Sequence, residues 1–144
     1  MPFFDQSSRS DLRRMYLEAW RKHCAGLPLE PLEAQIADVM GEHPEYFELL
    51  NDPETALTKD FSLEAGVFNP FLHMAMHLAI RDQVSTDRPQ GIREIFATLT
   101  KRRGAHEAEH NIAEQLAEMI WQSQRNGVAL DEQVYLRRVK RLTR

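Results

Sequence analysis

The sequence predicts an all-α protein, a single-domain helical bundle of five to seven helices over residues 1–144. Apolar side chains recur at three- and four-residue spacing along most of the chain, which is the period of an amphipathic helix. Proline and glycine mark the ends of these segments, and no segment shows the alternation of a half-buried β-strand. The length of 144 residues is close to the usual size of one folded domain.

The first two predicted helices have clear ends. The first opens near Ser8 and closes before Gly26 and Pro28, because glycine and proline commonly follow a helix. The second begins at Pro31, since proline suits a first helical turn, and ends at Gly41.

The middle of the chain is less regular. A short helix is predicted over residues 44–50, and residues 51–69 show no sustained period. A connection of this length inside one domain tends to be functional or partly structured. Asn69 and Pro70 then form a helix start, with asparagine as N-cap, that leads into a helix over residues 70–85.

Three more helices complete the prediction. Asp87 or Ser85 caps a helix that Gly104 stops, and the next helix runs over about residues 105–125. Asp131 caps the final helix.

Composition excludes several classes of protein. With 42% apolar and 28% charged residues, the chain can build a core, which argues against disorder along its whole length. No run of 18 apolar residues occurs, so no membrane span is expected. Cys24, the single cysteine, cannot form an internal disulfide and is predicted to be a small buried residue. The first residues lack the pattern of a secretion signal, so a cytoplasmic protein is expected.

Charge is unevenly distributed along the sequence. Ten of the 22 acidic side chains lie in residues 30–64, against Lys59 alone. The basic residues divide among the first helix, the run Lys101–Arg103 and the C-terminal RRVKRLTR. Cations at helix ends interact favourably with the exposed carbonyls there, so these clusters do not by themselves predict nucleic-acid binding. A homo-oligomer is possible, and no other partner is indicated.

Four of the six histidines form two pairs with i, i+4 spacing, His73 with His77 and His106 with His110. A random order of the same residues would give about 0.24 such pairs. Residues four apart lie one above the other on a helix, so each pair can present two imidazole nitrogens to one ion at about 2.0–2.1 Å. The pattern predicts a divalent metal site, with zinc, iron, nickel or manganese as the candidate ions.

The order of the helices supports a shared site. A single predicted helix separates the two histidine-bearing helices, and short connections make consecutive helices antiparallel. The two helices should therefore run parallel and bring their first turns to the same end of the bundle. We expect the four imidazoles to meet there, with three as ligands and the fourth bonded to a partner.

Carboxylates near the histidines would complete such a site. Glu107 and Glu109 lie inside the second pair, and either could act as general base if the ion is catalytic, with hydrolysis by metal-bound water as the default reaction. Either glutamate, Asp82 or the acidic residues 30–64 could also orient an imidazole by accepting its second N–H. His43, taken singly, is expected to be a surface or capping residue.

Two metalloenzyme motifs match only in part. HEAEH fits the HExxH string of zinc peptidases, but these place the helix beneath a substrate-binding sheet that the sequence does not predict. Glu107 and His110 fit one ExxH half of a ferritin-like di-iron site, and no second copy occurs.

Two further interpretations stay open. The histidines could be core polar groups hydrogen-bonded to carboxylates in a non-enzymatic interaction or structural protein. Two adjacent helix N-termini with histidine donors could also capture an anion. Bound metal per chain would distinguish the metal site from the first of these, and stabilisation by phosphate would indicate the second.

Three runs of sequence carry a family resemblance: NPFLHMAMHLAIRDQ from Asn69, RPQGIREIF from Arg88 and HEAEHNIAEQLAEMIWQSQRNG from His106. They resemble the bacterial family catalogued as domain of unknown function 1841, and the resemblance covers most of the chain. It implies a small soluble bacterial protein and assigns no catalytic or ligating residue.

Overall fold

The computed structural model describes residues 6–61 and 69–144, with side chains from Ser10 onward. This part of the chain contains eight α-helices, one short 3-10 helix and no β-strand. The all-α prediction is confirmed, and the number of helices exceeds the predicted five to seven by one. The chain divides into two compact units, a first unit over Met1–Met74 and a second over Ala75–Arg144.

The first unit holds the shorter helices. They are α1 (Gln6–Cys24), α2 (Pro31–Gly41), the 3-10 helix Pro44–Tyr46, α3 (Phe47–Leu50) and α4 (Pro53–Thr58). Apolar side chains of both longer helices are buried in this unit, among them Tyr16 and Trp20 from α1 and Ile36 and Met40 from α2. Packing of these faces stabilises helices that would be marginal alone.

Helix α4 shows that the connection over residues 51–69, for which the sequence indicates no sustained period, is partly structured. Asp52 caps it, since its carboxylate accepts hydrogen bonds from the backbone N–H and the hydroxyl of Thr55. At the other end, the Arg13 guanidinium donates to the carbonyls of Ala56 and Lys59, at 3.2 and 2.9 Å. Capping at both ends therefore stabilises a helix too short to show a period. Residues 62–68 of that connection lie outside the described residues.

Cys24 is exposed, not buried as predicted. It lies in the last turn of α1, one turn beyond the buried Trp20, in an open groove lined also by Leu17 and Leu50. The prediction was wrong because apolar periodicity does not show where a helix extends beyond the helices that pack against it.

Four longer helices follow: α5 (Pro70–Thr86), α6 (Ile92–Arg103), α7 (Ala105–Asn126) and α8 (Glu132–Arg141). Helix α5 begins in the first unit and continues into the second. Asn69 caps it as predicted, since its side-chain oxygen accepts from the backbone N–H groups of Phe71 and Leu72 at 3.0 and 3.2 Å. Asp131 caps α8.

Asp87 caps the start of α6, although it lies four residues before Gly91, which occupies the standard N-cap position. One carboxylate oxygen of Asp87 accepts from the backbone N–H groups of Gly91 and Arg93, at 3.1 and 3.0 Å. Of the two predicted caps, Asp87 and Ser85, the structure therefore selects Asp87.

The core of the second unit joins four helices. Ile80, Ile92, Leu99, Ile112 and Val139 are fully buried, one or two from each of α5, α6, α7 and α8. The Tyr135 hydroxyl donates to the side-chain oxygen of Gln83 at 2.6 Å. Among the helices in the described ranges, none has the length and apolar character needed to cross a membrane.

Candidate metal centre

His43 lies two residues after the end of α2 and is 1% exposed. Its Nδ1 is 2.7 Å from the carbonyl oxygen of Val39. A carbonyl can only accept, so Nδ1 carries the proton and donates it. In the neutral ring Nε2 therefore carries the lone pair, and a lone pair is what a metal ligand needs.

The His43 ring is fixed by two aromatic neighbours in the first unit. It stacks on Tyr46 with centroids 5.6 Å apart and an angle of 5° between the planes. It packs edge-to-face with the His73 ring, with centroids 5.1 Å apart and an angle of 83° between the planes. Burial, with a smaller contribution from Glu45, raises the pKa of Tyr46, so its hydroxyl stays protonated at neutral pH.

His77 lies one turn after His73 on α5 and is fully buried. Its Nδ1 is 2.5 Å from a carboxylate oxygen of Glu109, which is itself only 5% exposed. Arg81, one turn further along α5, places Nε 3.1 and 3.0 Å from the two oxygens of Glu109. A carboxylate buried on α7 is thus paired with two donors from α5.

These contacts decide the charge of Glu109 and the tautomer of His77. Burial raises the pKa of Glu109, but the hydrogen bonds from His77 and Arg81 outweigh it, so the pKa lies below its ordinary value. The ionised carboxylate can only accept, so Nδ1 of His77 donates. As in His43, Nε2 carries the lone pair of the neutral ring.

Three imidazoles of the second unit lie close together. The ring centroids of His77 and His110 are 4.6 Å apart, and those of His106 and His110 are 4.5 Å apart. His106 stacks on His77 at 5.3 Å with an angle of 15°. The two predicted histidine pairs therefore do contribute neighbouring rings.

Each unit has its own group of neighbouring histidines. In the first unit His43 contacts His73, and in the second unit His77, His106 and His110 lie together. His43 and His77 are buried, and the other three are partly exposed. Of the four predicted ligands, three therefore lie together in the second unit, and His73 belongs to the first.

His43 corrects the sequence analysis. It was expected at a surface or capping position, but its side chain is buried and makes no capping hydrogen bond to the 3-10 helix that follows it. His43 has no histidine three or four residues away, so spacing could not identify it. Its one local signal is its position three residues after the buried Met40 and four after the buried Val39.

The two predicted general bases lie in different environments. Glu109 is buried and bonded to His77 and Arg81. Glu107 is exposed and accepts a hydrogen bond from Asn111 at 3.2 Å. Asp82, the alternative orienting group, is exposed. Glu109 therefore orients an imidazole, that of His77.

Comparison with known proteins gives one match. Residues 8–141 match the family described as Domain of unknown function (DUF1841). The chain belongs to the DUF1841 family. The match confirms the resemblance seen in the sequence, and it includes all five histidines discussed above. No curated protein and no solved structure matches this DUF1841 chain.

Proposed function

We propose that this DUF1841 protein binds one divalent transition-metal ion through His77, His106 and His110. The observation that carries the proposal is the cluster of these three rings, whose centroids lie 4.5–5.3 Å apart. A tetrahedral ion with bonds of about 2.0–2.1 Å holds the centres of its imidazole ligands about 5 Å apart. The three rings therefore have the spacing of metal ligands.

The hydrogen bond of the buried ring supports the same proposal. His77 donates Nδ1–H to Glu109 and keeps Nε2 as the basic nitrogen. Metal-bound histidines are typically held in this way, because the second hydrogen bond fixes both tautomer and orientation. The alternative of core polar histidines accounts for this hydrogen bond, but it does not require two more imidazoles beside His77.

The donor set restricts the ion. Neutral imidazoles suit zinc, nickel or iron(II), whereas calcium, magnesium and manganese prefer oxygen ligands. Of the four ions that the sequence left open, manganese is therefore the least suited. The ligands bring no negative charge, and the buried carboxylate of Glu109, bonded to His77, supplies one next to the site.

Hydrolysis by a metal-bound water stays a prediction from the sequence. Three nitrogens would leave the fourth position of a tetrahedral ion open for water. A general base is also needed, but Glu109 is held by His77 and Arg81, and Glu107 is exposed and bonded to Asn111. Metal binding is therefore the function that this geometry supports best.

Metal analysis of matched variants tests the proposal. Untagged protein is purified, loaded with Zn²⁺, Ni²⁺ or Fe²⁺, desalted and analysed for metal per chain, beside His77→Ala, His110→Ala and the exposed control His23→Ala. We expect about one ion per chain in the wild type and in His23→Ala, and a loss in the other two. Circular dichroism verifies folding, and His110→Gln replaces His110→Ala if that variant unfolds.

Two results would contradict the proposal. The first is wild-type protein that retains none of the three ions, and the second is equal retention by the wild type, His77→Ala and His110→Ala. The predicted fourth ligand, His73, stays a prediction from the sequence. Loss of the ion from His73→Ala would support it.

A further inference from the structure

The C-terminal ends of α6 and α8 meet in the second unit. Arg102, in the last turn of α6, donates to the carbonyl of Thr143, which follows α8. Arg103 donates to the carbonyl of Leu142 at 3.3 Å. Two basic clusters that are 40 residues apart in sequence therefore form one surface, which we call the basic end and define as residues 101–103 and 137–144.

Helix capping accounts for only part of this positive charge. Arg102 and Arg103 satisfy carbonyls at the end of α8, and Arg138 pairs with Glu118 at 3.1 Å. Five exposed cations remain, and within the part of the chain that the structure describes their side chains make no ion pair or hydrogen bond: Lys101, Arg137, Lys140, Arg141 and Arg144.

Few acidic groups offset these cations. Residues 98–106 and 133–144 contain no aspartate or glutamate. The carboxylate of Glu107 reaches the basic end only through Asn111, whose side chain bridges Glu107 and Arg103. A concentrated positive surface on a chain with a net charge of −4 therefore needs a reason beyond solubility.

We propose that the basic end binds the phosphate backbone of duplex nucleic acid without reading its base sequence. Most of its cations are arginines, whose planar guanidinium groups fit phosphate oxygens. Phosphate contacts give affinity and orientation and carry no sequence information.

The other polyanions fit this surface less well. No large exposed apolar side chain lies in residues 98–106 or 133–144, so the basic end offers neither an apolar face for a membrane nor an apolar centre for a protein interface. Tyr135, the aromatic residue of α8, is buried, which leaves no platform for stacking the bases of a single strand.

The number of free cations sets the expected salt dependence. If four or five of them each neutralise one phosphate, log K should fall with log salt with a slope of about −4. Affinity should then fall by a few hundredfold between 50 and 200 mM salt. Loss of one contact should cost about tenfold at 50 mM salt and reduce the slope by about 1.

Fluorescence anisotropy with a labelled duplex of about 20 base pairs measures these quantities. The wild type is compared with Arg141→Glu and with the matched control Arg88→Glu. Arg88 is exposed and precedes α6, whose length of about 18 Å separates it from Lys101–Arg103 at the other end of the helix. We expect two duplexes of unrelated sequence to bind equally, Arg141→Glu to bind at least tenfold more weakly, and Arg88→Glu to match the wild type. Adding a metal chelator should not change the affinity for the duplex, and this distinguishes nucleic-acid binding from the proposed metal binding.

Three results would overturn the inference. They are no binding at 50 mM salt, equal weakening by Arg141→Glu and Arg88→Glu, and tighter binding of an acidic poly-glutamate peptide than of the duplex. Thermal melting verifies that each variant is folded, and Arg144→Glu replaces Arg141→Glu if the latter is not.

Discussion

Replacing Glu109 by glutamine tests the buried polar contacts beside the proposed metal site. Glu109→Gln keeps the size of the side chain and removes its charge. His77 then donates to a neutral amide or loses its acceptor, and Arg81 loses its ion-pair partner. Because Glu109 is 5% exposed, water cannot replace these contacts without rearrangement of the helices.

The expected loss of stability follows from the contacts of Glu109 with His77 and Arg81. A hydrogen bond to a charged group contributes about 1.5–3 kcal/mol, and the amide oxygen of glutamine can still accept one. The Arg81 side chain is 31% exposed, so solvent screening reduces its contribution. We therefore expect a loss of about 2 kcal/mol, which for a chain of this size lowers Tm by about 6–8 °C. Loss of the group that orients His77 should also weaken metal binding by about 10–100-fold.

Thermal unfolding with chelator measures the first effect, and competition for Zn²⁺ against a chromophoric chelator measures the second. Glu107→Gln is the matched control, because Glu107 is on the same helix but exposed, and we expect less than about 0.5 kcal/mol from it. Equal Tm and equal Zn²⁺ affinity for Glu109→Gln and the wild type would refute the reasoning.

Three other predictions concern the fold and the ligand set. Asp87→Ala should lower stability by about 1 kcal/mol through loss of the α6 cap, whereas Asp87→Asn should retain most of it; equal denaturant midpoints for all three proteins would show that the cap contributes nothing. Leu99→Ala should cost about 2–5 kcal/mol by opening a cavity in the second unit, and the exposed Leu72→Ala less than about 0.5 kcal/mol, as measured by urea unfolding; similar losses would contradict the buried position of Leu99. His106→Ala should lose bound metal while the exposed control His23→Ala keeps it, and equal metal content in the two variants would contradict a ligand role for His106.

The helices could be predicted where their ends carry local signals. Pro31 and Gly41 bound α2 in the structure as they do in the prediction, and Asn69 caps α5 with its own side chain. Helix α4 was missed because six residues are too few to show a period. Its stability depends on Arg13, which is more than 40 residues away in sequence and cannot be inferred from local pattern.

The candidate site could be predicted where histidines are regularly spaced along one helix. The i, i+4 spacing places His73 and His77 on one face of α5, and the same spacing brings His106 and His110 together on α7. His43 depends on tertiary packing, since it follows α2 as a single histidine without a spaced partner. A single sequence could not show that His43 would contact His73, or that Glu109 and not Glu107 would bond to His77.

X-ray absorption at the metal edge of zinc-loaded protein tests the metal site most directly. We predict one ion per chain coordinated by about three imidazole nitrogens at about 2.0–2.1 Å, with the outer scattering typical of imidazole rings. A coordination shell made mainly of oxygen, or protein that retains no zinc after desalting, would contradict a site built from His77, His106 and His110.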